Sequence, residues 1–213
     1  MRALITGANR GIGRAIAEHM AARGDAVLRT ARAADGHMAL DVTDPASIET
    51  LAARIADAPL DLLVCNAGVF LEKGRSREDY APELWAETFA VNVTGVFLCV
   101  EALLPVLRQA KTPKIAIISS QMASSTHAPG GSYIYRASKA AALNLGRNMA
   151  SDFKPLGIAV GIYHPGWVRT DMGGAQADIS EDEAARGLIA RFDALSLETT
   201  GCFETWDGRA HAY

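Results

Sequence analysis

Short apolar strands alternating with amphipathic helices along 213 residues predict an α/β fold, a three-layer sandwich around a mostly parallel central sheet. Two further observations support that class. A glycine-rich turn, Thr6-Gly7-Ala8-Asn9-Arg10-Gly11-Ile12-Gly13, follows the first apolar run. Asp61-Leu62-Leu63-Val64-Cys65 is apolar almost throughout, the pattern of a parallel strand covered on both faces.

Taken in order, Arg2 to Thr6 reads as a strand entering the glycine turn. Arg14 to Arg23 reads as a helix, with Ile12, Ile16 and Met20 on one apolar face and Gly24 closing it. Ala26-Val27-Leu28 opens a second strand, and His37 to Leu40 is a candidate third. The stretch between them is too short for a crossover helix. Asp44-Pro45 starts the next helix, with an acidic cap and a proline in its first turn; Ile48, Leu51 and Ile55 face inward.

After the strand at 61–65, Pro82 to Leu107 reads as a long helical region. Trp85, Phe89, Val93, Val96 and Val100 are expected on its buried side, and Pro105 should kink or end it. Lys114 to Ser120 is a strand, Ser132 to Phe153 a long helix, Gly157 to Tyr163 a buried strand and Ser180 to Leu195 an amphipathic helix. Gly201 to Glu204 is a last short strand. With no internal repeat and no linker, residues 1–213 are expected to form a single domain.

A formal charge of −3 argues against broad nucleic-acid binding, which uses a basic face. No apolar run is expected to reach the roughly 18 to 20 residues of a membrane span. The run before the glycines is too short for a leader's apolar segment, so cytoplasmic residence without membrane attachment is the expectation. Cys65, Cys99 and Cys202 are scattered and give neither a disulfide framework nor a metal site; Cys65 and Cys99 read as small core residues.

The glycine turn has the strand-to-helix setting of a dinucleotide loop, which makes the sandwich Rossmann-type. Gly7 permits a tight turn, Gly11 leaves room for a pyrophosphate, and Gly13 allows close packing of helix on sheet. Asn9, Arg10 and Ile12 complete the cofactor-binding loop. Asp41-Val42 ends the third strand, where the aspartate could accept from an adenine amino group or cap the next helix. Asn66-Ala67-Gly68 ends the fourth, where open α/β sheets meet their ligands. The second strand ends at Arg32 with no carboxylate to grip an unphosphorylated ribose. Arg10 and Arg32 therefore favour NADP, with NAD as the alternative; Asp35 lies close enough to intrude, and Arg29 either helps or is solvated.

Tyr135 and Lys139 are one helical turn apart and share a face. A tyrosine near pKa 10 is a poor base at neutral pH. An adjacent ammonium favours phenolate and should lower that value, so the pair can act as general acid or base. Ser120, at a strand end, is the candidate to orient the reacting oxygen, with Ser124 and Ser125 as alternatives.

In order and spacing, Thr6 to Gly13, Asn66-Ala67-Gly68, Asn92, Ser120, Tyr135-x-x-x-Lys139, Pro165-Gly166 and Thr170 resemble the short-chain dehydrogenase/reductase family across essentially the whole chain. The run Tyr135 to Asn144 is similar to a compact branch that includes C-factor-like proteins and small carbonyl reductases. The resemblance implies that Asn92 breaks its helix locally and anchors the proton relay. It implies that Lys139 holds the nicotinamide ribose, that Asn66 to Gly68 line the cofactor, and that Val168 and Thr170 meet the nicotinamide amide. The activity implied is NADPH-dependent reduction of a small carbonyl compound, or the reverse alcohol oxidation; a catalytically weak NAD(P)-binding sensor or signalling protein is the competing class.

Departures from the family pattern are Cys65 before the Asn-Ala-Gly triplet, a longer interval from Ser120 to Tyr135, and a short segment after Thr170. The last predicts an open pocket, bordered by Met122, His127, Tyr133 and Trp167, with His164 a packed strand-end residue or a ligand contact. Apolar positions over several faces of the helices at 82–107 and 132–153 suit either a homodimer or homotetramer interface or a monomer's core.

Overall fold

A computed structural model describes residues 1–33 and 36–213. Seven strands form one sheet: β1 (Arg2–Ile5), β2 (Ala26–Ala31), β3 (Met38–Ala39), β4 (Leu62–Cys65), β5 (Lys114–Ile118), β6 (Ala159–His164) and β7 (Phe203–Thr205). Their order is β3-β2-β1-β4-β5-β6-β7, and every pairing is parallel. The chain runs outward from β1 to β3, then returns to lay β4 beside β1. That reversal opens a crevice at the carboxyl ends of β1 and β4, the ligand position of doubly wound sheets.

Alternation along the strands sorts side chains to two faces. Ala3, Ile5, Val64, Ala116, Ile118 and Tyr163 pack with Ile16 and Met20 of α1 (Gly11–Ala22) and with Leu188 and Phe192 of α6 (Glu181–Ala194). Leu4, Leu63, Cys65, Ile115, Ile117 and Val160 face the other way. They meet Ile48 and Leu51 of α2 (Pro45–Arg54), Val100 and Leu103 of α4 (Gly95–Leu107), and Met149 and Phe153 of α5 (Tyr133–Phe153). Covering both faces is why these strands read as continuous apolar runs. Each fully buried leucine or isoleucine contributes about 1.5–3 kcal/mol.

The bounds of two elements differ slightly from those expected. The helix after the glycine turn starts at Gly11 rather than Arg14. β2 extends to Ala31, where the Ala8 N–H donates to the Thr30 carbonyl. Asp35, offered above as a competitor for a ribose, lies outside the described residues.

The region 82–107 is helical throughout but not uniformly so. α3 (Pro82–Phe89) and α4 are joined by a π turn at Ala90–Thr94, which widens one turn and rotates the inward face. That face runs through Thr88, Asn92, Val96, Cys99, Val100 and Leu103. Trp85, expected inside, is 37% exposed and stacks on half-buried Phe89 instead. Pro105 sits in α4 without ending it and is exposed to solvent. Contrary to the expectation for apolar runs, this 26-residue helical stretch is long and apolar enough to cross a bilayer, yet its inward face belongs to the sheet's core.

Candidate active site

β1 delivers the chain into a turn whose Gly7 and Gly11 have φ of +66° and +57°, where a Cβ is strained. Gly13 is held by contact: a Cβ there would collide with Asn66 Nδ2 and the Gly7 carbonyl oxygen. Asn66 donates from Nδ2 to the carbonyls of Thr6 and Gly7, at 2.9 and 3.1 Å. The Thr6 hydroxyl accepts from the N–H groups of Asn66 and Ala67, at 3.0 and 2.9 Å. The turns after β1 and β4 are thereby locked together. No side chain caps α1, and its first turn carries no acid, so its leading N–H groups and dipole favour an anion. Asn9 and Arg10 are exposed at its mouth and Ile12 is half-buried.

The segment after β6 closes the other side. Gly166 has φ +89° and turns the chain after Pro165 against Ile179 and Trp206. Buried Val168 bridges to Ile179. The Thr170 hydroxyl donates to the Val168 carbonyl at 3.3 Å and accepts from the Gly173 N–H at 3.0 Å. A Cβ on Gly11 would stand 3.5 Å from Thr170 Cγ2, so the first and last predicted cofactor segments are neighbours.

The π turn carries Asn92 inward, where Nδ2 donates to Ser138 Oγ at 3.0 Å. Ser138 Oγ in turn donates to the Tyr135 carbonyl at 2.8 Å. Gly68 leaves room for two polar groups: a Cβ there would lie 3.3 Å from Asn92 Oδ1 and 3.4 Å from Lys139 Nζ. Lys139 is 5% exposed, and its ammonium donates to the Ile118 carbonyl at 3.0 Å. Burial lowers its pKa to about 8.

Tyr135 lies flat against Phe70, with ring centroids 4.3 Å apart and planes 17° apart. Its hydroxyl points to Met172 Sδ at 3.9 Å. Burial pushes the phenol up to about 12; the neighbouring Ser120 draws it back, and the Glu72 carboxylate adds to the rise. The expected lowering by Lys139 is therefore reversed. The ammonium stands 5.6 Å from the ring centroid and is committed to a carbonyl, while desolvation opposes the phenolate. Of the three candidate serines, Ser120 is the one that acts on the Tyr135 phenol; its Oγ accepts from the Met122 N–H at 3.1 Å. Ser124 Oγ accepts from the Thr126 N–H, and Ser125 is exposed.

Arg10 Nη1 pairs with Asp171 Oδ2 at 2.8 Å, both side chains largely exposed. Arg32 is exposed past the end of β2. The hydroxyl and N–H of Thr43 bind Asp41 Oδ1 at 2.7 and 2.9 Å. These bonds, with the charge of Arg32 adding, hold the Asp41 carboxyl below its usual range. Capping of α2 falls to Asp44, which accepts from the Ala46 N–H at 3.0 Å, and not to Asp41. Val42 is buried against Gly95. Arg29 reaches the Ala17 carbonyl at 3.4 Å, on the α1 side of the sheet.

Residues 1–181 match the short chain dehydrogenase family. The chain is 37% identical to the C-signal of Myxococcus xanthus over 163 residues, 76% of this chain and 97% of that protein. It is 35% identical over 210 residues to the 3-oxoacyl-(acyl-carrier-protein) reductase FabG of Escherichia coli (strain K12), 92% of this chain and 83% of that one. The crystal structure of an NADPH-bound carbonyl reductase from chicken fatty liver aligns with a TM-score of 0.92 at 31% identity, covering 100% of this chain and 98% of its own. The chain belongs to the short chain dehydrogenase family. It is an NAD(P)-dependent oxidoreductase of small molecules.

Within this short chain dehydrogenase, Cys65 is a core residue: burial, helped by neighbouring Cys99, holds its thiol well above the usual range, and Cys99 is pushed up to about 12 by burial. Both are unreactive, as expected. His164 is the packed strand-end residue. Trp167 and Tyr133 are exposed at the rim, at 47% and 46%, and Trp167 Nε1 donates to the Gly173 carbonyl at 3.0 Å. His127 is an exposed loop residue. Sequence reasoning missed Phe70, Glu72 and Met172, which touch Tyr135 from loops distant in the chain.

Proposed function

We propose that residues 1–213 act as one NAD(P)-binding domain that reduces a small carbonyl compound with NADPH, or oxidises the alcohol in reverse, with Tyr135 as general acid/base. The observation that carries this reading is the buried Tyr135–Lys139 pair, with Lys139 Nζ 5.6 Å from the phenol ring, beside the interlocked glycine turn. At neutral pH a phenol held near 12 keeps its proton, which suits it to protonate a substrate oxygen. Ser120 polarises that oxygen. Lys139 stabilises the phenolate left behind, and Asn92 fixes the helix that carries both.

The cradle fits a dinucleotide: the close contacts at Gly7 and Gly13 hold a turn in which Gly11 presents no side chain to a phosphate. We assign Gly7, Asn9, Gly11, Ile12 and Gly13 to the pyrophosphate. Arg10 and Arg32 take the 2′-phosphate, Asp41 and Val42 the adenine edge, Asn66 to Gly68 with Tyr135 and Lys139 the nicotinamide ribose, and Pro165, Gly166, Val168 and Thr170 the nicotinamide amide. When bound, NADPH supplies the hydride. NADPH in the chicken carbonyl reductase supports NADP over NAD. A homodimer or homotetramer through α4 and α5 would cover Phe97, 43% exposed on α4; sedimentation at equilibrium tests it.

Similarity to the C-signal protein favours a second reading, a weakly catalytic nucleotide-binding signalling protein. Calorimetry with NADPH and NADH at matched salt, followed by a carbonyl screen of wild type and Tyr135→Phe, separates the two. NADPH preference with turnover lost in Tyr135→Phe supports the reductase. Unchanged turnover in Tyr135→Phe sinks the proton-transfer role, and cofactor binding without turnover of any carbonyl favours the second reading.

A further inference from the structure

Glu72 belongs to none of the motifs above. It is 1% exposed and sits on the loop after β4. Its Oε1 accepts from the backbone N–H of Tyr135 at 2.6 Å, in the first turn of α5. That helix end has no other side-chain cap: Ser132, the residue before it, is left-handed (φ 47°), makes no cap bond, and no acid follows in the first turn. The second carboxylate oxygen, Oε2, is buried with no hydrogen-bond partner among the described residues. A buried, half-satisfied carboxylate is costly, so its burial against the Tyr135 backbone calls for a role.

We propose that Glu72 is a positioning residue for Tyr135, gripping the amino end of α5 through Oε1 and setting its second, unpartnered carboxylate oxygen into the buried site around that residue. This rests on the reductase reading given above. Neighbouring residues of the same loop hold Tyr135 as well. Phe70 stacks on the Tyr135 ring, and Lys73 donates to the Met172 carbonyl at 2.6 Å. Met172 in turn lies against the Tyr135 hydroxyl. Three of four consecutive residues thus fix the plane, the backbone and the hydroxyl end of one side chain.

The charged groups around the phenol are few. Lys139 faces its ring from the same helix. Asp171, beside Met172, is turned to Arg10 in solvent. From the loop after β4, Lys73 is exposed and Glu72 is the buried charge. After β5 the neighbour is the neutral Ser120, whose influence on the phenol opposes that of Glu72.

Two variants separate grip from charge. Glu72→Gln keeps an acceptor for the Tyr135 N–H and removes the charge; Glu72→Ala removes both. Expected for Glu72→Gln is a kcat within about twofold of wild type at neutral pH and an alkaline limb of the pH–rate profile moved down by about half to one unit. Expected for Glu72→Ala is a kcat about tenfold lower with NADPH affinity unchanged. The ring-carbon NMR shift of labelled Tyr135, assigned with Tyr135→Phe and followed from about pH 8 to about pH 11, reads the same ionisation without turnover. It should show more phenolate in Glu72→Gln. Superimposable titrations of wild type and Glu72→Gln overturn the proposal even if no substrate is ever turned over; absence of wild-type turnover with shifted titrations overturns the reductase reading and leaves Glu72 in its role.

Discussion

Asn92 and Val69 face each other like paired residues of two strands. Asn92 Nδ2 donates to the Val69 carbonyl at 3.0 Å, and Asn92 Oδ1 accepts from the Val69 N–H at 2.9 Å. A side chain thus supplies the hydrogen bonds that a neighbouring backbone would give, and it ties the loop after β4 to the π turn. Replacing Asn92 by Ala leaves both Val69 groups unpaired and empties a buried site. The expected cost is about 2–4 kcal/mol in urea unfolding, with turnover reduced more than NADPH affinity.

Lys139→Met should stabilise the cofactor-free protein while abolishing turnover. Burial depresses this lysine from 10.5 to about 8, so between those values the unfolded chain binds more protons than the folded one. Stability from this group is complete above about 10.5 and is lost as pH falls through 8. Urea midpoints at neutral pH should favour Lys139→Met by about 1–2 kcal/mol. That advantage should shrink toward alkaline pH; an advantage for wild type at neutral pH would contradict it.

His164 should make the fold acid-sensitive. Its Nδ1 is buried without a hydrogen-bond partner among the described residues. Burial, then the neighbouring His211, lowers its pKa from 6.5 to about 4. The unfolded chain takes up this proton first, so stability falls as pH drops through that window and levels off below it, by up to about 3 kcal/mol. Unfolding midpoints measured across the window should lose that component in His164→Leu.

Arg10 and Asp171 form an exposed pair, worth at most about 1 kcal/mol to stability. Asp171→Asn should fold normally and free the guanidinium. NADPH affinity should rise about two- to fivefold, NADH affinity should not change, and the gain should fade with added salt. Equal gains for both cofactors would remove Arg10 from the 2′-phosphate site.

What the chain disclosed before its fold was known depended on range. The glycine turn, the Tyr135–Lys139 spacing and the Asp44-Pro45 helix start are local patterns, and each stands where expected. Trp85 was misplaced because one π turn, containing the buried Asn92, shifts the helical face in a way no regular period reports. Glu72 reads as an ordinary solvated acid until a helix 63 residues further on seals it from water. The phenol's pKa could not be read from the Tyr-x-x-x-Lys spacing either, since desolvation outweighs the ammonium.

The return of the chain to lay β4 beside β1, pairing Ala3 with Leu62, has a kinetic consequence. Parallel pairing of distant segments forms late, after a long loop has closed. The crevice depends on that pairing, on the Asn66 lock and on Thr170 arriving from a third region. Nucleotide affinity should therefore emerge in the last step of refolding, and a nascent chain not yet long enough to supply β4 cannot hold cofactor. A ligand that binds only the closed crevice also stabilises it by mass action, so cellular NADPH would act on the lifetime of this protein as well as on its turnover.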